Sequence, residues 1–159
     1  EFLEHYNPAK YESLCNTADI VVVRCEEKLT HWGQPLKVLM VKRSNHPSIG
    51  FWATPGGFVE LKEDISEGAA RELEEETGYR AENIEWLMDL RTTVAFCDEK
   101  VEIFLARDLK PAKQHLDENE FIQVKAYTLE ELREMIFTGK IEDSKTIASI
   151  LAYESKYCH

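Results

Sequence analysis

Long apolar stretches are missing from this 159-residue sequence. Its longest runs are of the size of Ile20 to Val23, whereas a helix crossing a bilayer needs about 18 consecutive apolar residues. No membrane partner is expected. Basic charge is also scarce: 19 Lys and Arg face 30 Asp and Glu, for a net charge of −11. Long nucleic acid is bound by basic surfaces that neutralise phosphates, so no nucleic-acid partner is expected, and an anionic membrane surface is disfavoured on the same ground. A small nucleotide stays open, because a metal ion can stand between acidic protein and acidic ligand. The four cysteines, Cys15, Cys25, Cys97 and Cys158, include no C-x-x-C pair. A zinc site or disulfide scaffold is therefore not expected, and reduced thiols in a cytoplasmic protein are. Repeats and low-complexity tracts are lacking. Residues Glu1 to Lys10 do not follow the charged-then-apolar order of a signal peptide.

What is present fits one domain. Hydrophobic residues make up 43% and aromatics 10%, which argues against disorder. Residues 1–16 are taken as an N-terminal extension and 17–159 as the domain. The β-branched segment Asp19 to Arg24 predicts a buried strand. A polar loop over Glu26 to Pro35 follows, then a strand over Leu36 to Val41. After a loop from Arg43 to Gly50, Phe51 to Thr54 is extended and ends at Pro55-Gly56-Gly57, which predicts a break. A helix is predicted over Ile65 to Thr77. Asp64 is placed as its N-cap, with Glu67 three residues on, and Gly78 as its C-terminal glycine. Strands are predicted over Ile84 to Thr93, Val101 to Ala106 and Phe121 to Tyr127, with a turn at Asp98-Glu99-Lys100. Helices over Leu129 to Thr138 and Ser144 to Lys156 close the chain. This order predicts an α/β or α+β layered domain around a mixed sheet.

The segment with chemical content runs from Glu60 to Glu76, where eight acidic residues meet two basic ones. A helix turns about 100° per residue, so Glu72, Glu75 and Glu76 share one side. Ile65, Ala69 and Leu73 form an apolar stripe beside them. The carboxylates then lie at the border of core and solvent, where a cleft would open. Arg71 is four residues before Glu75 and can pair with it. At ~4 Å two like charges repel by about 1 kcal/mol in water and several times more near a protein surface. A hard divalent cation relieves that repulsion, and Mg²⁺ prefers oxygen ligands. The Gly56-Gly57 backbone can come close enough to add a carbonyl. On these glutamates alone, a solvated acidic helix face is the simpler explanation of the run. Gly68 within the helix costs up to ~1 kcal/mol relative to alanine, which close approach of another element would explain.

Gly57, Glu63, Arg71, Glu72, Leu73, Glu75, Glu76, Gly78 and Tyr79 fill, without a gap, nine fixed positions of a 23-residue pattern. The segment resembles the Nudix box: G, five residues, E, seven residues, R-E, an aliphatic, any, E-E, any, G, an apolar residue. The resemblance implies an α/β/α sandwich with a central mixed sheet. It also implies hydrolysis of a nucleoside diphosphate linked to another group. Matching positions imply Glu72, Glu75 and Glu76 as catalytic, metal-holding carboxylates and the Gly56 carbonyl as a further ligand. Glu63, Arg71 and Gly57 are implied as supports. The implied cofactor is Mg²⁺, with Mn²⁺ as the alternative.

Beyond the box, Phe96 to Val101, Asp108-Leu109, Leu116 to Phe121 and Gly139 to Thr146 resemble ADP-ribose pyrophosphatases. That likeness implies ADP-ribose as substrate, AMP and ribose 5-phosphate as products, and a homodimer. It also implies a general base in the loop of Asp98-Glu99, carried to Glu99; Glu102, Glu118 and Glu120 are further carboxylates to weigh. Val94-Ala95 stand where many such enzymes have proline and glycine. Lys42 to Glu60 resemble another Nudix branch. The alternatives are therefore another nucleotide substrate (a diadenosine polyphosphate, NADH or an oxidised nucleoside triphosphate) or a ligand-sensing Nudix domain of a regulator. The last would want a basic DNA-binding extension, and none is seen before His159. Arg43, after a strand, is a candidate for a substrate phosphate. Phe96 is a candidate for substrate contact, and Trp32, Trp52, Trp86 and Phe51 are further aromatics that could stack on a base, with core packing their ordinary use.

Overall fold

The computed structural model describes residues 16–24, 37–44, 49–60, 62–95, 98–116 and 122–158. The predicted loop over Glu26 to Pro35, most of the N-terminal extension, Trp32, Phe96, Glu118 and Glu120 lie outside them. The described elements are seven strands and three helices. The strands are β1 (Asn16–Arg24), β2 (Lys37–Lys42), β3 (Trp52–Ala53), β4 (Gly56–Phe58), β5 (Tyr79–Arg91), β6 (Lys100–Pro111) and β7 (Gln123–Thr128). The helices are α1 (Ile65–Thr77), α2 (Leu129–Phe137) and α3 (Ser144–Tyr157).

One mixed sheet runs β3-β2-β1-β6-β5, with β7 on β2 and β4 on β1. Among the described strands only β1 and β6 pair in parallel; the other pairings are antiparallel. The central strand β1 changes partner along one edge. Val22 to Arg24 pair with β2, and Thr17 to Asp19 pair with β4. Ile20 N–H between them donates to Pro55 C=O at 2.8 Å. Gly56 thus enters the sheet at the point where β1 switches neighbours.

Alternation along β1 divides the core. Ala18, Ile20 and Val22 face one side and pack with Leu39, Phe104 and Ala106 against Ala69 and Leu73 of α1. Val21 and Val23 face the other and pack with Val38, Met40, Ile103 and Leu105 under Leu132, Met135, Ile150 and Tyr153 of α2 and α3. The domain is therefore a three-layer α/β/α sandwich, as the period-two strand pattern and amphipathic helices demand. Full burial of a side chain such as Leu73 contributes about 2–3 kcal/mol.

Helix α1 has the predicted limits. Asp64 is extended at φ −68°, ψ 143°, and its carboxylate accepts from Ser66 N–H. Gly78 closes the helix in the left-handed region at φ 70°, and its N–H donates to Glu74 C=O. Two expectations are corrected. Gly56–Phe58 is a strand rather than a break, because β1 supplies partners for its backbone. β5 begins at Tyr79, five residues before Ile84, since its polar first half pairs with Arg107 to Pro111 of β6.

Candidate functional site

The fold places the acidic side of α1 over the β1–β4 edge. Arg71 is the hub. Its Nε donates to Glu63 Oε1 at 3.0 Å, and Nη2 reaches Glu63 Oε2 at 3.2 Å and Phe58 C=O at 3.1 Å. Nη1 donates to Glu72 Oε1 at 2.7 Å and Glu75 Oε2 at 2.9 Å. A planar guanidinium is suited to this, because its donors point along fixed, separated directions. The Glu63 hydrogen bond, followed by the bonds to Glu72 and Glu75, holds Arg71 far above its ordinary value, so it stays charged. The Arg71 hydrogen bond in turn holds Glu63 below the usual carboxylate range. Half-buried pairs of this kind are each worth at most about 1 kcal/mol. Their main effect is to fix where the carboxylates sit.

The glycine pair brings backbone onto those carboxylates. A Cβ on Gly57 would lie 2.6 Å from Glu72 Oε2, so only glycine leaves that carboxylate its place. Gly56 N–H donates to Glu76 Oε2 at 3.0 Å. At φ +157° its backbone lies close against β1, where a Cβ would be 2.3 Å from Ala18 C=O. Gly68 has the expected close neighbours, Glu63 and Val59, at 3.1 and 3.3 Å from a would-be Cβ.

Opposite α1 lies a group that sequence reasoning did not single out. Asp19 projects from the α3 face of β1 and is 5% exposed. Burial pushes its carboxyl up to about 7, offset in part by Lys145 and reinforced by Asp143. Thr54 Oγ1 donates to Asp19 Oδ2 at 3.1 Å, and Thr54 N–H donates to Thr146 Oγ1 at 3.0 Å. Asp143 caps α3, accepting from Thr146 N–H at 2.8 Å and from Lys145 Nζ at 2.9 Å. Burial pulls the Lys145 ammonium down, but Asp19 and Asp143 outweigh it and hold it above its ordinary value. The available signals were an aspartate at the head of a valine-rich strand and the Asp143-x-x-Thr146 capping spacing.

These walls enclose a cleft of about 1080 Å³. Of the predicted residues, Gly56, Gly57, Arg71, Glu72, Glu75, Glu76, Glu99 and Arg43 all line it. Glu63 stands behind Arg71. Glu102 does not line it; Lys100 Nζ holds it at 2.8 Å. Trp52 lines the cleft and packs edge-on against Tyr127 at 5.2 Å. Trp86, whose ordinary use would be core, is 55% exposed instead, with its indole N–H on Asp89 at 2.9 Å. Phe96 lies outside the described residues.

Among the described residues, no three acidic, histidine or cysteine side chains converge as a ready-made ion cage. The cause is visible: Arg71 draws Glu72 and Glu75 together, while Glu76 turns to Gly56 N–H. The donor set nonetheless fits a hard cation. It consists of carboxylate and carbonyl oxygens only, on one helix side, beside two glycines that leave room for them.

The NUDIX domain model matches residues 16–150. The chain is 38% identical over 117 residues to the methanol dehydrogenase activator of Bacillus methanolicus, and 37% identical over 117 residues to the ADP-ribose pyrophosphatase of Bacillus subtilis. Each match covers 72% of this chain but only 63% of the relative. Its fold is similar to the NUDIX domain of Shewanella oneidensis NrtR solved with ADP ribose. There the TM-score is 0.70 at 24% identity, covering 98% of this chain and 96% of that one. With the box complete and its carboxylates on one wall of a cleft, the chain belongs to the Nudix family.

Proposed function

We propose that this cleft hydrolyses a nucleoside diphosphate linked to another group, and that the substrate is ADP-ribose, cleaved to AMP and ribose 5-phosphate. The observation that carries the reading is that Glu72, Glu75 and Glu76 line one cleft beside Gly56-Gly57, the first two held by Arg71 and the third by Gly56 N–H. The choice of ADP-ribose is supported by the Bacillus subtilis relative, named as an ADP-ribose pyrophosphatase.

Glu72, Glu75, Glu76 and the Gly56 carbonyl would hold Mg²⁺, or Mn²⁺ in its stead. When bound, such an ion neutralises pyrophosphate oxygens and acidifies a water. Arg71 and Glu63 orient the carboxylates, and Gly57 leaves space for Glu72. Glu99, on the cleft wall, accepts the proton of the attacking water. The water oxygen bonds to phosphorus, and the bridging oxygen leaves with the electron pair of the broken bond. Arg43, which lines the cleft, contacts a substrate phosphate.

Purified protein with Mg²⁺ and a panel of ADP-ribose, NADH, a diadenosine polyphosphate and a nucleoside triphosphate tests this by product identity. AMP and ribose 5-phosphate from ADP-ribose, abolished by chelation, is the expected result. Inert ADP-ribose beside rapid turnover of the triphosphate would overturn the substrate assignment.

A further inference from the structure

We propose that the Thr146 hydroxyl, acting through Thr54 and Asp19, is a positioning device that sets Gly56 against Glu76, so that helix α3 governs the geometry of the cleft. The proposal rests on the reading of the cleft given above and adds residues that the box does not contain.

Three of its members are almost wholly buried: Thr146 at 0%, Thr54 at 4% and Asp19 at 5% exposure. Polar groups in a dry interior are costly unless each finds a partner. Here each does, and the partners form one line. Thr54 N–H donates to Thr146 Oγ1 at 3.0 Å, and the two hydroxyls are 3.2 Å apart. Thr54 Oγ1 donates to Asp19 Oδ2 at 3.1 Å. One residue on, Pro55 C=O accepts from Ile20 N–H at 2.8 Å. The next residue is Gly56, whose N–H reaches Glu76 Oε2 at 3.0 Å. Gly56 rests on Asp19 itself: a Cβ there would lie 2.7 Å from Asp19 Cα and 2.9 Å from Oδ1. The line thus runs from the first turn of α3, through the sheet, to a carboxylate of α1 on the opposite face.

The first turn of α3 is built to hold its end of that line. Asp143 fixes Thr146 N–H at 2.8 Å and Lys145 Nζ at 2.9 Å. Lys145 supplies a positive charge that offsets part of the cost of a buried carboxylate at Asp19. An apolar contact would attach α3 to the sheet equally well. It would not dictate the position of Thr54, and through it the lie of Gly56. Partners that orient metal-holding groups from behind typically alter metal affinity or turnover by 10–100-fold when removed.

The test compares T146V, which keeps the shape and removes the hydroxyl, with T146S, which keeps the hydroxyl. Three quantities are read: the thermal melt, Mn²⁺ binding to metal-free protein by calorimetry, and kcat with KM for the nucleotide that the wild type hydrolyses. In T146V the expected results are a kcat reduced about tenfold or more, weaker Mn²⁺ binding, and a KM changed by less than about threefold. T146S should recover most of both losses. Wild-type Mn²⁺ affinity and kcat in T146V overturn the proposal. So do equal losses in T146V and T146S that merely track the melting temperature. A wild-type protein that binds no Mn²⁺ overturns the reading of the cleft, and this proposal with it, before any variant is made.

Discussion

D19N should remove the share of the protein's pH-dependent stability that Asp19 contributes between about pH 4 and pH 7. Asp19 is buried at the α3 face of β1, and burial moves its carboxyl from the ordinary 3.8 to about 7, with Lys145 opposing. Between about pH 4 and pH 7 the folded chain therefore keeps a proton that the unfolded chain has released. Folding takes up that proton, so stability falls as pH rises across this window and is constant above it. Below about pH 4 both states carry the proton and the penalty vanishes. At ~1.4 kcal/mol per pH unit, a rise from 3.8 to about 7 corresponds to ~4 kcal/mol. For a chain of this size, 1 kcal/mol moves the melting temperature by roughly 2–4 °C. D19N keeps an oxygen to accept from Thr54 but cannot ionise. Its melting temperature relative to wild type should rise by about 10 °C between pH 4 and pH 8. Melts of both proteins by circular dichroism, in chelator, at half-unit steps of pH, give that difference directly. Carboxylates held low away from Asp19, such as Glu63, are common to both proteins and cancel in the comparison. A difference that stays constant from pH 4 to pH 8 would refute the argument.

Two further outcomes concern the box wall. G57A puts a methyl 2.6 Å from Glu72 Oε2; with the carboxylate displaced, turnover should fall by about 100-fold or more, while a melt shows a loss below about 2 kcal/mol. Wild-type turnover in G57A would mean that Glu72 has no required place. E76Q keeps an acceptor for Gly56 N–H but removes the charge. Its kcat should drop by orders of magnitude, on the scale of about 10²–10³, with a melting temperature nearly unchanged; a rate like wild type would remove Glu76 from the site.

Local chemistry in the sequence explains what could be read in advance. Helix α1 could be bounded to the residue because Asp64 is a capping side chain, Ala69 and Leu73 repeat on one face, and Gly78 stops the helix. The same spacing brings Glu72, Glu75 and Glu76 to one side of the helix and Arg71 within reach of Glu75. β4 was hidden because Pro55-Gly56-Gly57 has the composition of a turn, yet here glycine is required by the backbone of β1 lying within reach of a Cβ. The first half of β5 was hidden because Arg80, Glu82 and Asn83 are exposed on a sheet edge and carry no burial pattern. Trp86 shows the converse, a large aromatic left at the surface by its place on that edge strand. The Asp19–Thr54–Thr146 line joins residues 35 and 92 apart in sequence. No local spacing contains it; it follows from β1 switching partners at Gly56 while α3 docks on the opposite face.

The most direct measurement is the anomalous diffraction of Mn²⁺ in crystals soaked with the ion and a non-hydrolysable ADP-ribose analogue. The account predicts an ion about 2.0–2.3 Å from oxygens of the α1 glutamates and the Gly56 carbonyl, touching the diphosphate. A diphosphate bound elsewhere, with Glu72, Glu75 and Glu76 turned to solvent and no ion among them, would contradict it.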